Sequence, residues 1–158
     1  MSDEISKEYF NETLGIHQEY LGILNCLPDI VYWVDKDCLL KGCNQNFIKL
    51  LGLKKIKDLK GTPYEQMAKY TGWPEKNIEA FKLDDMKVLF SGEPQWDVEE
   101  GPLFNKDKEV SYYRTRRVPL FDKDNKVHGL VVVLTDITKF KKNGRAITES
   151  SYKRKDKT

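Results

Sequence analysis

Positions recur at alternating spacings of four and three from Tyr9 to Leu27: Tyr9, Thr13, Ile16, Tyr20, Ile23 and Leu27, with Phe10, Leu14, Leu21 and Leu24 beside them. That period predicts an amphipathic helix with a wide apolar face. Pro28 ends it, because the residue before a proline is pushed out of the helical region. The pattern then shortens. "DIVYWVD" and "CLLKGCN" read as two strands joined at Lys36-Asp37 by a tight turn. In "NQNFIKLLGL", Phe47, Leu50 and Leu51 return to helical spacing, with Asn44 as N-cap and Gly52 as stop. "KIKDLKG" and "TPYEQMAKY" read as short helical pieces, the second with Thr62 as N-cap and Pro63 in its first turn. A longer helix runs from Pro74 to Gly92, marked by Ile78, Phe81, Leu83, Met86, Leu89 and Phe90.

The last third changes to a strand-like period. "PQWDVEEGPL", "EVSYYRTRRVPLFD" and "KVHGLVVVLTD" are separated by the polar turns "FNKDK" and "DKDNK", and Val118-Pro119 suits an edge or a bulge. Helix, two strands, several helices and three strands make an α+β fold: a five-stranded, mostly antiparallel sheet with short helices on one face and an N-terminal amphipathic helix. The expected domains are residues 1–27 (the helix), 28–142 (the folded domain) and 143–158 (a basic tail of disordered composition).

With 158 residues, 39% hydrophobic and 33% charged, the chain has the size and composition of one globular domain. Its net charge of +2 is uneven: from Lys139 onward eight Lys or Arg face only Glu149 and Asp156. A basic end could touch nucleic acid or an acidic membrane, but a solvated tail is the simpler reading, and nucleic acid is not expected as a partner. Three cysteines without a CxxC pair, a start without a secretion signal and no long apolar run point to a cytoplasmic protein with reduced thiols and no membrane insertion.

Several stretches in this order resemble the PAS family of sensory domains over roughly residues 24–142. They are "LPDIVYWVDKD", "GCNQNFIKLLGL", "DLKG", "VLFSGEP" and "RRVPLFDKDNKVHGLVVVLTDITKFKK", and the first two look especially like modules of bacterial sensor histidine kinases. The resemblance implies a regulatory module of a signal-transduction protein that binds a small ligand or partner. It also implies relay of the change through the C-terminal Asp-Ile-Thr, where Asp136 and Thr138 can accept from backbone amides. Any kinase or cyclase activity then belongs to an effector domain in cis. The alternative is a ligand-free dimerisation or interaction scaffold, pairing as a homodimer through the N-terminal helix.

A sheet curled over short helices encloses a pocket, and ligand sites in such pockets are mostly apolar with a few polar groups. Trp33, Phe47, Tyr64, Met67, Trp73, Tyr113, Thr115 and Arg117 are the candidate wall. Strand alternation puts Arg114 and Arg116 on one face and Arg117 on the other with Tyr113 and Thr115. A buried guanidinium needs an acid: an anionic ligand, or an internal partner among Asp97, Glu99 and Glu100. No catalytic constellation is legible, since His17 and His128 stand apart and no phosphate loop, nucleophile elbow or metal cluster appears. The cofactor is unknown. Flavin photosensors of this family carry a reactive cysteine on the pocket helices and haem-binding members a histidine on the long helix; residues 44–92 hold neither, and Met67 and Met86 read as gap-fillers.

Overall fold

A computed structural model describes residues 18–55 and 59–142. Helix α1 (residues 18–26) ends before Pro28. β1 (Ile30–Asp35) and β2 (Leu40–Cys43) form a hairpin, followed by α2 (Gln45–Leu50), α3 (Tyr64–Thr71) and α4 (Glu75–Ser91). Then come β3 (Gln95–Phe104), β4 (Val110–Phe121), β5 (Val127–Asp136) and one turn of helix, α5 (Thr138–Lys142). The five strands form one antiparallel sheet in the order β2-β1-β5-β4-β3. The first and last strands, β1 and β5, are therefore neighbours, with β5 at the centre.

The inner face of the sheet carries Tyr32, Val34, Leu130, Val132 and Leu134, packed against Phe47, Leu51, Met67, Ile78 and Phe81 from the helices. Asn44 joins the pieces. Its buried side-chain oxygen accepts from the amides of Val31 and Phe47, capping α2, while its Nδ2 donates to the carbonyls of Leu24 and Asp29. One side chain thus fixes the end of α1, the start of β1 and the start of α2, and leaves little of its own polarity unmatched.

Several local expectations change. The β1–β2 loop extends past Lys36-Asp37, because Asp35 Oδ1 accepts from the amides of both Asp37 and Leu39, and Cys38 takes a left-handed φ of 61°. Lys54 and Leu59–Gly61 are bend and turn rather than helix. Pro63, not Thr62, is the N-cap of α3, since the Thr62 hydroxyl donates instead to the Leu59 carbonyl. On α4 the buried stripe is Ile78, Phe81, Asp85 and Val88, while Leu83, Met86 and Phe90 are exposed. An acid occupies a core position there, so an apolar count selects the wrong face. Pro119 behaves as expected: Gln95 opposite Arg117 ends the β3 pairing, so at Pro119 only β5 lies alongside.

Residues Tyr9 to His17 of the predicted helix, and the basic tail 143–158, lie outside the described residues. Among the described residues no helix is long and apolar enough to cross a membrane.

Candidate functional site

Between the inner sheet face and α2, α3 and α4 lies a small cavity of about 30 Å³. Phe47, Tyr64, Met67 and Trp73, four of the predicted wall residues, line it together with Tyr32 and Phe81. The volume suits a water molecule and is far below the roughly 300 Å³ at which pockets for drug-sized ligands begin. Aromatic contacts close the space: Tyr32 packs on Phe47 with ring centroids 4.7 Å apart and edge-on to Tyr64 at 5.9 Å.

A charged cluster continues from this cavity toward β3. Arg117 on β4 is 1% exposed and Asp85 on α4 is fully buried. Arg117 Nε donates to Asp85 Oδ1 at 2.6 Å, and Nη1 donates to Gln95 Oε1 at 3.0 Å. Nη2 stands 2.9 Å from Glu100 Oε1, yet neither Glu100 oxygen receives a directed hydrogen bond. The buried Thr115 hydroxyl is likewise unpartnered. Tyr64 donates its hydroxyl to the other Asp85 oxygen, so the cavity wall is tied directly to the cluster.

Two buried acids share this guanidinium, and all their charges cannot be held equally well. Burial pushes both carboxyls above the usual range, against the pull of Arg117. Burial would lower the Arg117 pKa, but Glu100 and Asp85 outweigh it and raise it. Asp85 accepts two directed bonds and Glu100 none, so Glu100 is the acid that more readily keeps a proton. Burial also raises the Tyr64 and Tyr32 hydroxyls, which stay neutral.

A family model described as "PAS fold" matches residues 24–142. The chain belongs to the PAS family. No curated protein matches it. Among solved structures, this PAS domain is similar to the Vibrio cholerae VqmA dimer studied in the absence of target DNA: TM-score 0.63, 21% identity, 77% of this chain and 52% of that one. VqmA bound to DPO is similar at TM-score 0.62 and 21% identity, over 75% of this chain and 57% of that one. A sensory box sensor histidine kinase from Vibrio cholerae matches at TM-score 0.56 and 13% identity, over 82% of this chain and 98% of that one. The chain therefore spans little more than half of the VqmA chains, and at these identities the likeness concerns the fold.

In this PAS domain the remaining predicted wall residues separate. Tyr113, Thr115 and Arg117 face inward on β4, as alternation requires, while Arg114 and Arg116 face out, where Arg116 pairs with Asp97 at 2.9 Å. Tyr113 packs on Trp73, with ring centroids 5.9 Å apart. Trp33 does not reach the interior. Its ring lies on the outer face over Gly42, whose missing Cβ would come within 2.2 Å of it, and it borders a cleft beside Leu21 and Leu24 of α1. Strand alternation is the reason: Tyr32 and Val34 point inward, so Trp33 between them cannot. Sequence reasoning missed Asp85 and Tyr32. Asp85 carried a legible signal, an acid in line with Ile78, Phe81 and Val88.

At the exit of the PAS domain, Asp136 Oδ1 accepts from the Thr138 amide at 2.9 Å. The Thr138 hydroxyl turns sideways, accepting from the Tyr112 amide at 3.0 Å, while Ile137 N donates to the Tyr112 carbonyl at 2.9 Å. The joint is thus tied to β4, the strand that holds Arg117. Among the described residues no three or more His, Cys, Asp or Glu side chains gather as a metal site. Burial raises the Cys38 thiol to about 11 and the Cys43 thiol to about 12, so neither is a ready nucleophile. His128 is exposed.

Proposed function

We propose that this PAS domain, residues 28–142, is the sensory module of a bacterial signal-transduction protein of the sensor histidine kinase kind, binding a small ligand inside the sheet. The observation that carries this reading is one line of contacts. Tyr64 on the cavity wall holds Asp85, Asp85 holds Arg117 on β4, and β4 holds Thr138 at the exit through Tyr112. A ligand that competes for the Tyr64 hydroxyl weakens the α4–β4 tie, and the change reaches the Asp-Ile-Thr joint along a single strand. The domain does no chemistry itself in this reading. Catalysis belongs to an effector in cis, and the protein works in the cytoplasm without binding nucleic acid. The VqmA structure bound to DPO offers a parallel for a small ligand.

Residues 1–27 act in this proposal as a pairing helix and residues 143–158 as a tail. Support for a homodimer comes from the stripe first seen in the sequence: Tyr20, Ile23 and Leu27 are 61%, 59% and 40% exposed, while Leu21 and Leu24 border the sheet. A three-four stripe left in water is what a second helix covers. The small cavity supports a second reading, a dimerisation scaffold without a ligand. Native mass spectrometry of the protein purified from its own host separates the two. A stoichiometric small molecule is expected; an empty interior in every preparation, with dimer retained, overturns sensing in favour of the scaffold.

A further inference from the structure

A second cleft of about 210 Å³ opens to solvent beside the cavity, where the ends of α2 and α3 meet the β3–β4 hairpin. Leu50, Leu51, Thr71 and Trp73 line both spaces, so the indole and its neighbours form the partition between them. Trp73 stands on the bridge Gly72–Pro74 between α3 and α4. Its amide donates to Thr71 Oγ1 at 3.2 Å, and its ring is held by weak aromatic contacts, with Phe81 and Tyr113 each 5.9 Å away. Among the described residues the indole has no charged or hydrogen-bonded partner.

The outer wall has a defined chemistry. Lys49, Lys106 and Asp107 border the cleft, and none of them is in an ion pair among the described residues, which leaves a net positive charge at the opening. Lys106 is held there by a close approach: a Cβ at Gly72, where φ is 74°, would lie 2.4 Å from Lys106 Cγ and 2.8 Å from its backbone nitrogen. Further in, the surfaces are aromatic rings and aliphatic side chains.

We propose that this cleft is the mouth of the interior cavity, with the Trp73 indole as its movable plug, and that it admits a small single-ring aromatic anion. The ring takes over the contacts with Phe81 and Tyr113 that the indole gives up, and the charge stays outside at Lys49 and Lys106. The inference rests on the sensory reading above and names its ligand class and route.

The test uses three probes of one shape, benzoate, benzamide and benzylamine, titrated into the full chain while the Trp73 indole N–H is followed by NMR. Benzoate is expected to shift that resonance saturably and to bind about fivefold tighter than benzamide, the gain from one or two exposed ion pairs. In the K49Q/K106Q variant, both sites being exposed and outside the core, that preference should vanish while benzamide binding is kept. Equal binding of the three probes, tighter binding of benzylamine, or a preference that survives in the double variant overturns the anion assignment. No movement of Trp73 with any probe overturns the mouth. The sensory reading fails separately, through an empty interior in the mass-spectrometric experiment.

Discussion

Arg117 and Asp85, 32 residues apart in the chain, meet at 2.6 Å with almost no exposure to water. The pair clamps the long helix to the sheet at the place where the inner face changes from apolar to charged. Pairs of this kind contribute little net stability, because desolvation offsets attraction, but losing one partner strands the other.

The R117M variant should therefore lose about 3–5 kcal/mol in urea unfolding, the usual cost of an uncompensated buried charge, and D85N less, about 1–3 kcal/mol, because Arg117 keeps Glu100 at 2.9 Å. The double variant R117M/D85L, which removes both charges and keeps volume, should lose clearly less than the two single losses combined. Additive losses in that cycle would mean that the two side chains act independently despite their contact.

Glu100 supplies a pH dependence. Its carboxyl is raised by burial, so the folded state keeps a proton over a range in which the unfolded chain, with a value near 4.3, has released it. The folded state then binds more protons, and stability falls as pH rises from about 4.3 through the raised value, flattening above it. E100Q keeps the shape and an oxygen for Arg117 but removes the titration. It should flatten that slope and gain about 1–2 kcal/mol at pH 8, where wild type holds a buried carboxylate without a directed hydrogen bond. Thermal melts from pH 4.5 to 8.5 check both, and an unchanged slope would assign the dependence to Asp85.

Much of this was legible from residue order. The sheet follows from alternation, which also sorts Arg117 from Arg114 and Arg116, and Asn44 as a helix cap follows from its place before Phe47. The sequence does not reveal what Asn44 does besides capping: its bonds to Leu24 and Asp29 span 20 and 15 residues and exist only once α1 has folded back. Asp85 is a related case. Its place in line with Ile78, Phe81 and Val88 puts it on the buried face, but its partners come from α3 and β4, and no local pattern names them. Trp33 lies on the outer face because the strand's parity, not aromatic character, decides which face a side chain takes.

The exposed stripe on α1 gives an oligomeric prediction. I23K in the full chain should shift a dimer to monomer in sedimentation velocity, with an unfolding free energy of the domain core changed by no more than about 0.5 kcal/mol, as for other exposed positions. L24K, which puts a charge against the outer sheet face, should instead destabilise the domain itself. Dimer persisting in I23K would move the pairing surface away from this helix.

The joint at Thr138 allows the relay to be tested apart from the fold. T138V keeps the shape and removes the acceptor for the Tyr112 amide, leaving the Ile137–Tyr112 bond in place. It should cost about 1 kcal/mol, the net value of one hydrogen bond, and raise amide exchange at Tyr112 well above that of Arg117 on the same strand. T138S, which retains the hydroxyl, should restore protection. The decisive measurement is the response of residues 137–141 to a perturbation at the cavity wall: Y64F, which removes the donor to Asp85, should shift their amide resonances in wild type and in T138S but much less in T138V. If Y64F moves them equally in all three, the signal leaves the domain by another path, through β5 or α1, and Thr138 serves only to end the last strand.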